Sequence, residues 1–270
     1  LHITQPAVSQ HIRYIEEYYQ TRLFTFQGKK PVLTEAGEYL LHAFTTLSHD
    51  QVYLKEQLFS MQKKKPALIF GATLTIGEYV MPRFLIEYQT RHPDTVLTMI
   101  TANTHELLDR ISDGEIDFAI VEGYFDKTQY DYLTFSSEPY IAVAGTPLFE
   151  DCRPRSLSEL LDQKLIVREP GSGTREILEK HLEARNLSIH DFSGVSEIGN
   201  IPALKAVVSA GLGITFLYRS AAEEELKNGI LFDVTPENFS ITHDFTLIWQ
   251  KGSMFASRYR TIFEEWKKKL

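Results

Sequence analysis

The chain has 270 residues, enough to bury a full core and to divide into more than one domain. Its net charge of -8 excludes a generally basic nucleic-acid coat, but the charge is uneven: residues 1–65 carry a net +2 and the remaining 205 carry -10. A single cysteine, Cys152, excludes an internal disulfide and reads as a passive thiol in a reducing cytoplasm. No stretch is apolar for long enough to span a bilayer, and no basic-then-apolar leader opens the chain.

The first predicted element is a helix that Thr4 can cap, with Gln5 and Pro6 in its first turn. Ala7, Val8, Ile12 and Ile15 fall at helical spacing for packing. Gln5, Ser9, Gln10 and Arg13 lie towards the other side, where such groups can enter a major groove and meet base edges or phosphates. An ordinary amphipathic surface helix would show the same periodicity.

Thr34 can cap a second, long helix running to about Lys63, with Glu35 and Glu38 near its positive end and Lys63, Lys64 and Lys65 near its negative end. Leu40, Phe44, Leu47, Gln51, Leu54, Leu58 and Met61 recur in steps of four and three, the seam of a coiled coil with one polar member. At 1.5 Å per residue this helix is about 45 Å long. That length favours a partner chain as cover, against packing on its own domain.

Pro66 stops the helix, and the pattern changes to alternating strands and helices, the mark of a mainly α/β chain with parallel sheets. Strands are predicted at Ala67–Gly71, Val96–Thr101 and Phe118–Val121, with helices at Gly77–Arg91 and Thr104–Ser112. Leu133–Gly145 supplies extended chain broken at Pro139. Beyond Thr146 the grammar restarts: Leu165–Val167, a helix Thr174–Arg185, Gly194–Ile198, a helix Pro202–Ala210, and Ile214–Leu217. A crossing near Ile241 precedes a last strand, Phe245–Trp249, and a helix Ser257–Lys268.

Two strand-to-helix segments have the composition of anion sites. In Gly71-Ala72-Thr73-Leu74-Thr75-Ile76-Gly77, the hydroxyls and free helix-start amides can bind an anion, although Thr73 or Thr75 can equally be a plain cap. In Glu169-Pro170-Gly171-Ser172-Gly173-Thr174-Arg175, the glycines permit close approach, Ser172 and Thr174 add donors, and Arg175 offers a planar fork for an oxyanion or carboxylate. A capped turn is the alternative, and the spacing of a nucleotide P-loop is absent. Asn103 with Thr104, and Gly199 with Asn200, make similar polar helix starts, each most often a cap.

The run T-Q-P-A-V-S-Q-H-I, then L-F, then L-T-E-A-G at Leu33 to Gly37, resembles the winged helix-turn-helix of LysR-type transcriptional regulators, and the likeness extends more loosely over the whole chain. The resemblance implies a partial winged helix-turn-helix over 1–33, a dimerisation helix over 34–65 and an effector domain over 66–270. That domain would comprise two Rossmann-like subdomains of the type II periplasmic-binding-protein kind, I at about 66–145 and 243–270 and II at about 146–242, with a ligand cleft between them. It places DNA contacts at Thr4, Gln5, Pro6, Ala7, Ser9, Gln10, Arg13, Lys29 and Lys30. It places effector contacts at Thr73, Thr75, Asn103, Thr104, Thr174 and Asn200, to which the reading of the residues adds Ser172, Gly173 and Arg175. Phe26 stands where the family usually has a basic wing residue, and the absence of an initiator Met and of the family's first helix suggests a truncated start.

The expected partners are promoter DNA, a small anionic effector and a second copy of the chain, as a homodimer or a dimer of dimers, in the cytoplasm. The GATLTIG and REPGSGTRE segments look like those of regulators of sulphur or nitrogen assimilation and central metabolism. No catalytic residue, metal or cofactor is called for: the nine histidines are scattered, Cys152 lacks a nucleophile signature and no G-x-S-x-G occurs. The alternatives are a solute-binding protein that captures an anion without touching DNA, which should be monomeric, and an interaction scaffold with no ligand.

Overall fold

The computed structural model of the chain describes residues 4–63, 66–147 and 154–267. Cys152, Lys64 and Lys65 lie outside the described residues, as does the predicted end of the last helix at Lys268.

Helix α1 spans Gln5–Tyr19. Thr4 has the extended backbone of an N-cap, but its side chain makes no cap hydrogen bond, which corrects the expectation. Pro6, in the first turn, has no amide, so one of the donors that a capping oxygen would take is missing. Ala7, Ile12 and Ile15 are half-buried, whereas Val8 is exposed. Near the end of α1, Glu16 accepts the Leu23 amide at 2.8 Å and the Arg22 guanidinium at 3.0 Å, fixing the exit towards the hairpin.

That hairpin pairs β1 (Phe24–Gln27) with β2 (Lys30–Leu33) through a two-residue turn whose first member, Gly28, has φ 66°. Thr34 Oγ1 donates to Arg22 O at 2.7 Å and accepts the Gly37 amide at 3.0 Å, so Thr34 does cap the next helix. A Cβ on Gly37 would overlap Leu23 O, which explains the glycine that closes L-T-E-A-G.

Helix α2 (Glu35–Lys63) has two faces with different fates. His49, Asp50 and Tyr53 are buried against the same chain: Asp50 accepts Ser253 Oγ at 2.7 Å and the Met254 amide at 2.9 Å, and Thr46 Oγ1 donates to Lys251 O at 3.1 Å. Tyr53 packs edge-on to Phe255 and bonds to Arg258. The seam residues Phe44, Leu47, Leu54 and Leu58 are exposed, Leu47 at 63 %, Gln51 is also exposed, and Leu40 is half-buried. Packing on its own domain therefore occurs, but with a face other than the seam.

The first lobe starts with β3 (Ala67–Ala72), followed by a π-helical turn, Ile76–Val80, that runs into α3 (Met81–Arg91). Then come β4 (Val96–Thr101), α4 (Thr104–Ser112) and β5 (Phe118–Val121); β3 pairs in parallel with both β4 and β5. Strand β6 (Tyr130–Ala144) leads out. The second lobe holds β7 (Lys164–Val167), α5 (Gly173–Glu183), β8 (Gly194–Glu197), α6 (Ile201–Ser209) and β9 (Ile214–Tyr218), with β7 parallel to β8 and β9. Helix α7 (Arg219–Lys227) and the short β10 (Phe232–Asp233) follow, then β11 (Ile241–Gln250) returns and α8 (Ala256–Lys267) closes the first lobe.

Three expectations are corrected here. Strand β6 runs unbroken through Pro139, because Pro139 faces Thr242 of β11 one residue before pairing with β9 begins at Tyr140, a place where a missing amide is tolerated. The crossing near Ile241 and the last strand are one strand, β11, with an irregularity between Phe245 and Thr246. Helix α7 and β10 were not anticipated from the sequence; α7 buries only Ala221 and Ala222, too little apolar surface to show a helical stripe.

The antiparallel β6/β11 ribbon joins the lobes into one sheet of order β4-β3-β5-β11-β6-β9-β7-β8, with β10 beside β6. One core cluster runs beneath both lobes: Phe70, Phe118 and Trp266 connect through Phe135, Tyr140 and Phe245 to Phe216 and Phe239.

Candidate functional site

The carboxyl ends of the parallel strands meet between the lobes, and the residue immediately after each strand carries the site. Thr73 follows β3, Glu122 follows β5 and Arg168 follows β7. All three are buried and line one small cavity with Leu74, Ala102, Asn103, Glu169, Ser172 and Gly173. The cavity is small, about 10 Å³ open to the centre of a water-sized sphere, and the lobes lie against each other around it.

Two polar contacts bridge the lobes: Thr75 Oγ1 lies 3.3 Å from Thr174 Oγ1, and Thr174 Oγ1 donates to Glu122 Oε1 at 3.1 Å. Tyr140, in the connecting ribbon, donates to Thr174 O at 2.8 Å. Gly173 opens α5 against the opposite lobe, where an added Cβ would sit 2.8 Å from Glu122 Cγ. This approach is why the G-S-G-T segment needs its second glycine.

Five buried polar atoms here have no hydrogen-bond partner: Thr73 Oγ1, Thr104 Oγ1, Ser172 Oγ, Glu122 Oε2 and Arg168 Nη1. Burying such groups unpaired costs free energy, and four of them, on Thr73, Glu122, Arg168 and Ser172, belong to residues that line the one cavity. Burial raises the Glu122 carboxyl to about 7, against opposing hydrogen bonds from Thr75 and Thr174 and the Arg168 charge. Arg168 is 4 % exposed and forks onto its neighbour Glu169, Nε to Oε2 and Nη2 to Oε1 both at 2.8 Å, leaving Nη1 free.

The sequence-predicted site residues divide accordingly. Thr73, Thr75, Thr104, Ser172, Gly173 and Thr174 are buried at or beside the cleft. Asn103 lines the cavity, but its side chain also caps α4 by accepting the Glu106 amide at 2.9 Å. Asn200 is exposed, caps α6 through the Ala203 amide at 2.9 Å and does not line the cavity. Arg175 is the main correction: its guanidinium is occupied by Glu179 at 2.8 Å, Glu197 at 2.9 Å and Arg168 O at 3.0 Å, and it buttresses the segment. The cation in the cleft is Arg168. Sequence reasoning missed it and Glu122, although the position directly after an apolar strand end was the available signal.

On the front domain, Thr4, Gln5, Pro6, Ser9, Gln10 and Arg13 are exposed and Ala7 is half-buried. Among the described residues, the side chains of Gln5, Ser9, Gln10 and Arg13 have no internal hydrogen-bond partner. Lys29 and Lys30 are exposed at the hairpin turn, near the exposed Phe26. No helix among the described residues is long and apolar enough to cross a membrane, and no group of acidic, histidine or cysteine side chains there could hold a metal.

Residues 62–269 match the LysR substrate binding domain, and residues 1–38 match the bacterial regulatory helix-turn-helix of the lysR family. The chain belongs to the LysR family. It is 30 % identical to the RuBisCO operon transcriptional regulator of Acidithiobacillus ferrooxidans, over 98 % of this chain and 85 % of that protein. It is 28 % identical to the HTH-type transcriptional activator CmpR of Synechocystis, over 98 % and 86 %. Two solved structures share the fold: the CcmR regulatory domain of Synechocystis in complex with 2-PG and a hydrogen-peroxide-bound OxyR variant of Corynebacterium glutamicum. The first has TM-score 0.67 and 20 % identity, covering 76 % of this chain and 99 % of that one. The second has TM-score 0.68 and 22 % identity, covering 98 % and 84 %. These LysR relatives are transcriptional regulators, which places this chain among DNA-binding proteins with an effector domain.

Proposed function

We propose that this LysR-type protein is a cytoplasmic regulator whose promoter binding or activation is controlled by a small anionic metabolite held between the two lobes. The observation that carries this reading is the set of unpartnered buried polar atoms on Thr73, Glu122, Arg168 and Ser172, which line the cleft from both lobes, with Thr104 next to the lining residue Asn103. Arg168 supplies the charge for the anion, and Thr73, Ser172 and Thr104 supply hydroxyls. The complex of CcmR with 2-PG supports a small-molecule effector. The domain division is that of the sequence reading, with α2 serving a homodimer and, through it, a dimer of dimers.

Binding of the effector stabilises the closed lobes, and because α2 is docked on the first lobe through Asp50 and Tyr53, closure moves the second lobe relative to the dimer helix and the DNA-reading face. Gln5, Ser9, Gln10 and Arg13 meet base edges and phosphates, and Lys29 and Lys30 meet the flanking backbone. Fluorescence anisotropy on DNA from upstream of the protein's own gene tests the first half: binding weakens steeply with added salt, and flat salt dependence or no binding overturns it. Thermal-shift screening against small anions tests the second half, with Arg168→Met expected to abolish the response.

A further inference from the structure

We infer that the effector is an anion carrying its own hydrogen-bond donor, an O–H or N–H beside its charge, so that Arg168 takes the charge and Glu122 Oε2 takes the donor. The inference rests on the reading of the cleft as the effector site.

The unpartnered atoms define what a ligand must offer. Thr73 Oγ1 and Ser172 Oγ are hydroxyls that donate or accept, so they impose no sign. Arg168 Nη1 only donates and needs an acceptor, because Nε and Nη2 are already spent on Glu169. On Glu122, Oε1 is satisfied by Thr174, while Oε2 is buried and free. A carboxylate oxygen needs a donor, and the hydrogen bonds that Glu122 receives from Thr75 and Thr174 leave Oε2 without one.

The charges agree. Above about pH 7, where Glu122 is ionised, Glu122 and Glu169 set two carboxylates against the one guanidinium of Arg168, so the cavity is then net negative before a ligand enters. A fully deprotonated oxyanion would set its lone pairs against Oε2 in a site that water screens poorly. One proton must lie between Glu122 and the ligand, and an anion bearing a donor brings it. The other groups facing Glu122 do not supply it: the Thr174 hydroxyl donates to Oε1, and the Thr75 hydroxyl, which lies against Thr174 and also bonds to Glu122, leaves Oε2 unpartnered. Tyr140 and Tyr218 are held well above the usual phenol range by burial, and the Tyr140 hydroxyl donates to Thr174 O. Burial raises Glu122 itself to about 7, so the carboxyl can provide the proton only at lower pH, where selectivity should fade. Two sources share this chemistry: an inorganic oxyanion that retains a proton, and a hydroxy or amino acid.

Isothermal titration of the full chain with phosphate against sulfate, and with glycolate against acetate, tests this at pH 8 and pH 6. The donor-bearing member of at least one pair should bind about tenfold or more tightly at pH 8, with a smaller ratio at pH 6. The pair that responds identifies the source. Glu122→Gln, whose amide donates as well as accepts, should erase the preference. The four wild-type isotherms at pH 8 decide the matter by themselves. Equal affinity within both pairs, or a preference that survives in Glu122→Gln, overturns the inference and leaves the cleft as an anion site. No binding by any probe, or binding indifferent to Arg168→Met, overturns the effector reading as well.

Discussion

Glu122 is a carboxyl held at the end of a strand, in a wall of hydroxyls, and its environment makes a pH-dependent contribution to stability. In the folded chain it titrates at about 7, and its ordinary value is near 4.5. Below the lower value both folded and unfolded states hold the proton. Between the two values only the folded state holds it, so stability falls as pH rises through this window and levels off above about 7. The span corresponds to about 3 kcal/mol. Glu122→Gln should flatten the fall, gaining stability at pH 8 and little at pH 4, in urea melts followed by circular dichroism. Arg175→Ala should behave differently: losing the contacts to Glu179, Glu197 and Arg168 O costs about 1 kcal/mol in the same melts. Its anion affinity should stay within about twofold, because this guanidinium does not line the cavity. The sequence shows both arginines on one segment, and only the fold distinguishes the one that faces its own carboxylates from the one that faces the cleft. Thr73 and Ser172, which line the cavity, and Thr174, which bridges the lobes, could be picked out as hydroxyls at strand-to-helix joins, although the same pattern serves plain helix caps. Glu122 was not, because a single acid after an apolar strand resembles any strand end.

At the scale of elements, α2 is the part whose sequence supported two readings: packing on its own domain occurs through one face, and the face of the proposed seam is left exposed. The period of four and three is visible in Phe44, Leu47, Leu54 and Leu58, and these remain bare. The docking face, Thr46, His49, Asp50 and Tyr53, has helical spacing but is largely polar; no apolar stripe marks it, because it works through bonds to Ser253, Met254, Lys251 and Arg258 that lie more than two hundred residues away. If the bare face is the self-association seam, the paired variant Leu47→Glu and Leu54→Glu should convert the oligomer to monomers in light scattering. The wild type, and not the variant, should then show a melting temperature that rises with protein concentration. Strands β3, β4 and β5 and most helices were legible within a residue or two because their apolar runs are bounded by turn residues. Helix α7 was hidden by its charged face, and the continuity of β6 by Pro139, whose unpaired flank is a property of the neighbouring strand.

Across the whole molecule, the cleft is closed by few polar contacts, chiefly Thr75 with Thr174 and Thr174 with Glu122. Thr174→Val removes both while keeping the volume, so the open state should gain population; small-angle scattering should report a larger radius of gyration without ligand, and a return towards the wild-type value when ligand is added. An unchanged radius would mean that the apolar contact beneath the lobes, and not this polar bridge, sets the closed state.

The ribbon that joins the lobes has a further consequence. Its strands, β6 and β11, are paired from Ile241 opposite Tyr140 to Gln250 opposite Tyr130, so a pivoting of the lobes would turn on backbone that is already hydrogen-bonded and already ordered. A pivot made of loop must freeze when a ligand draws its lobes together, at about 1–2 kcal/mol for each residue fixed. This one has little disorder left to lose, so under the proposed function the interaction energy gained from a few ligand atoms in the cleft would reach the distant helix almost undiminished. A very small molecule can therefore be a sufficient signal.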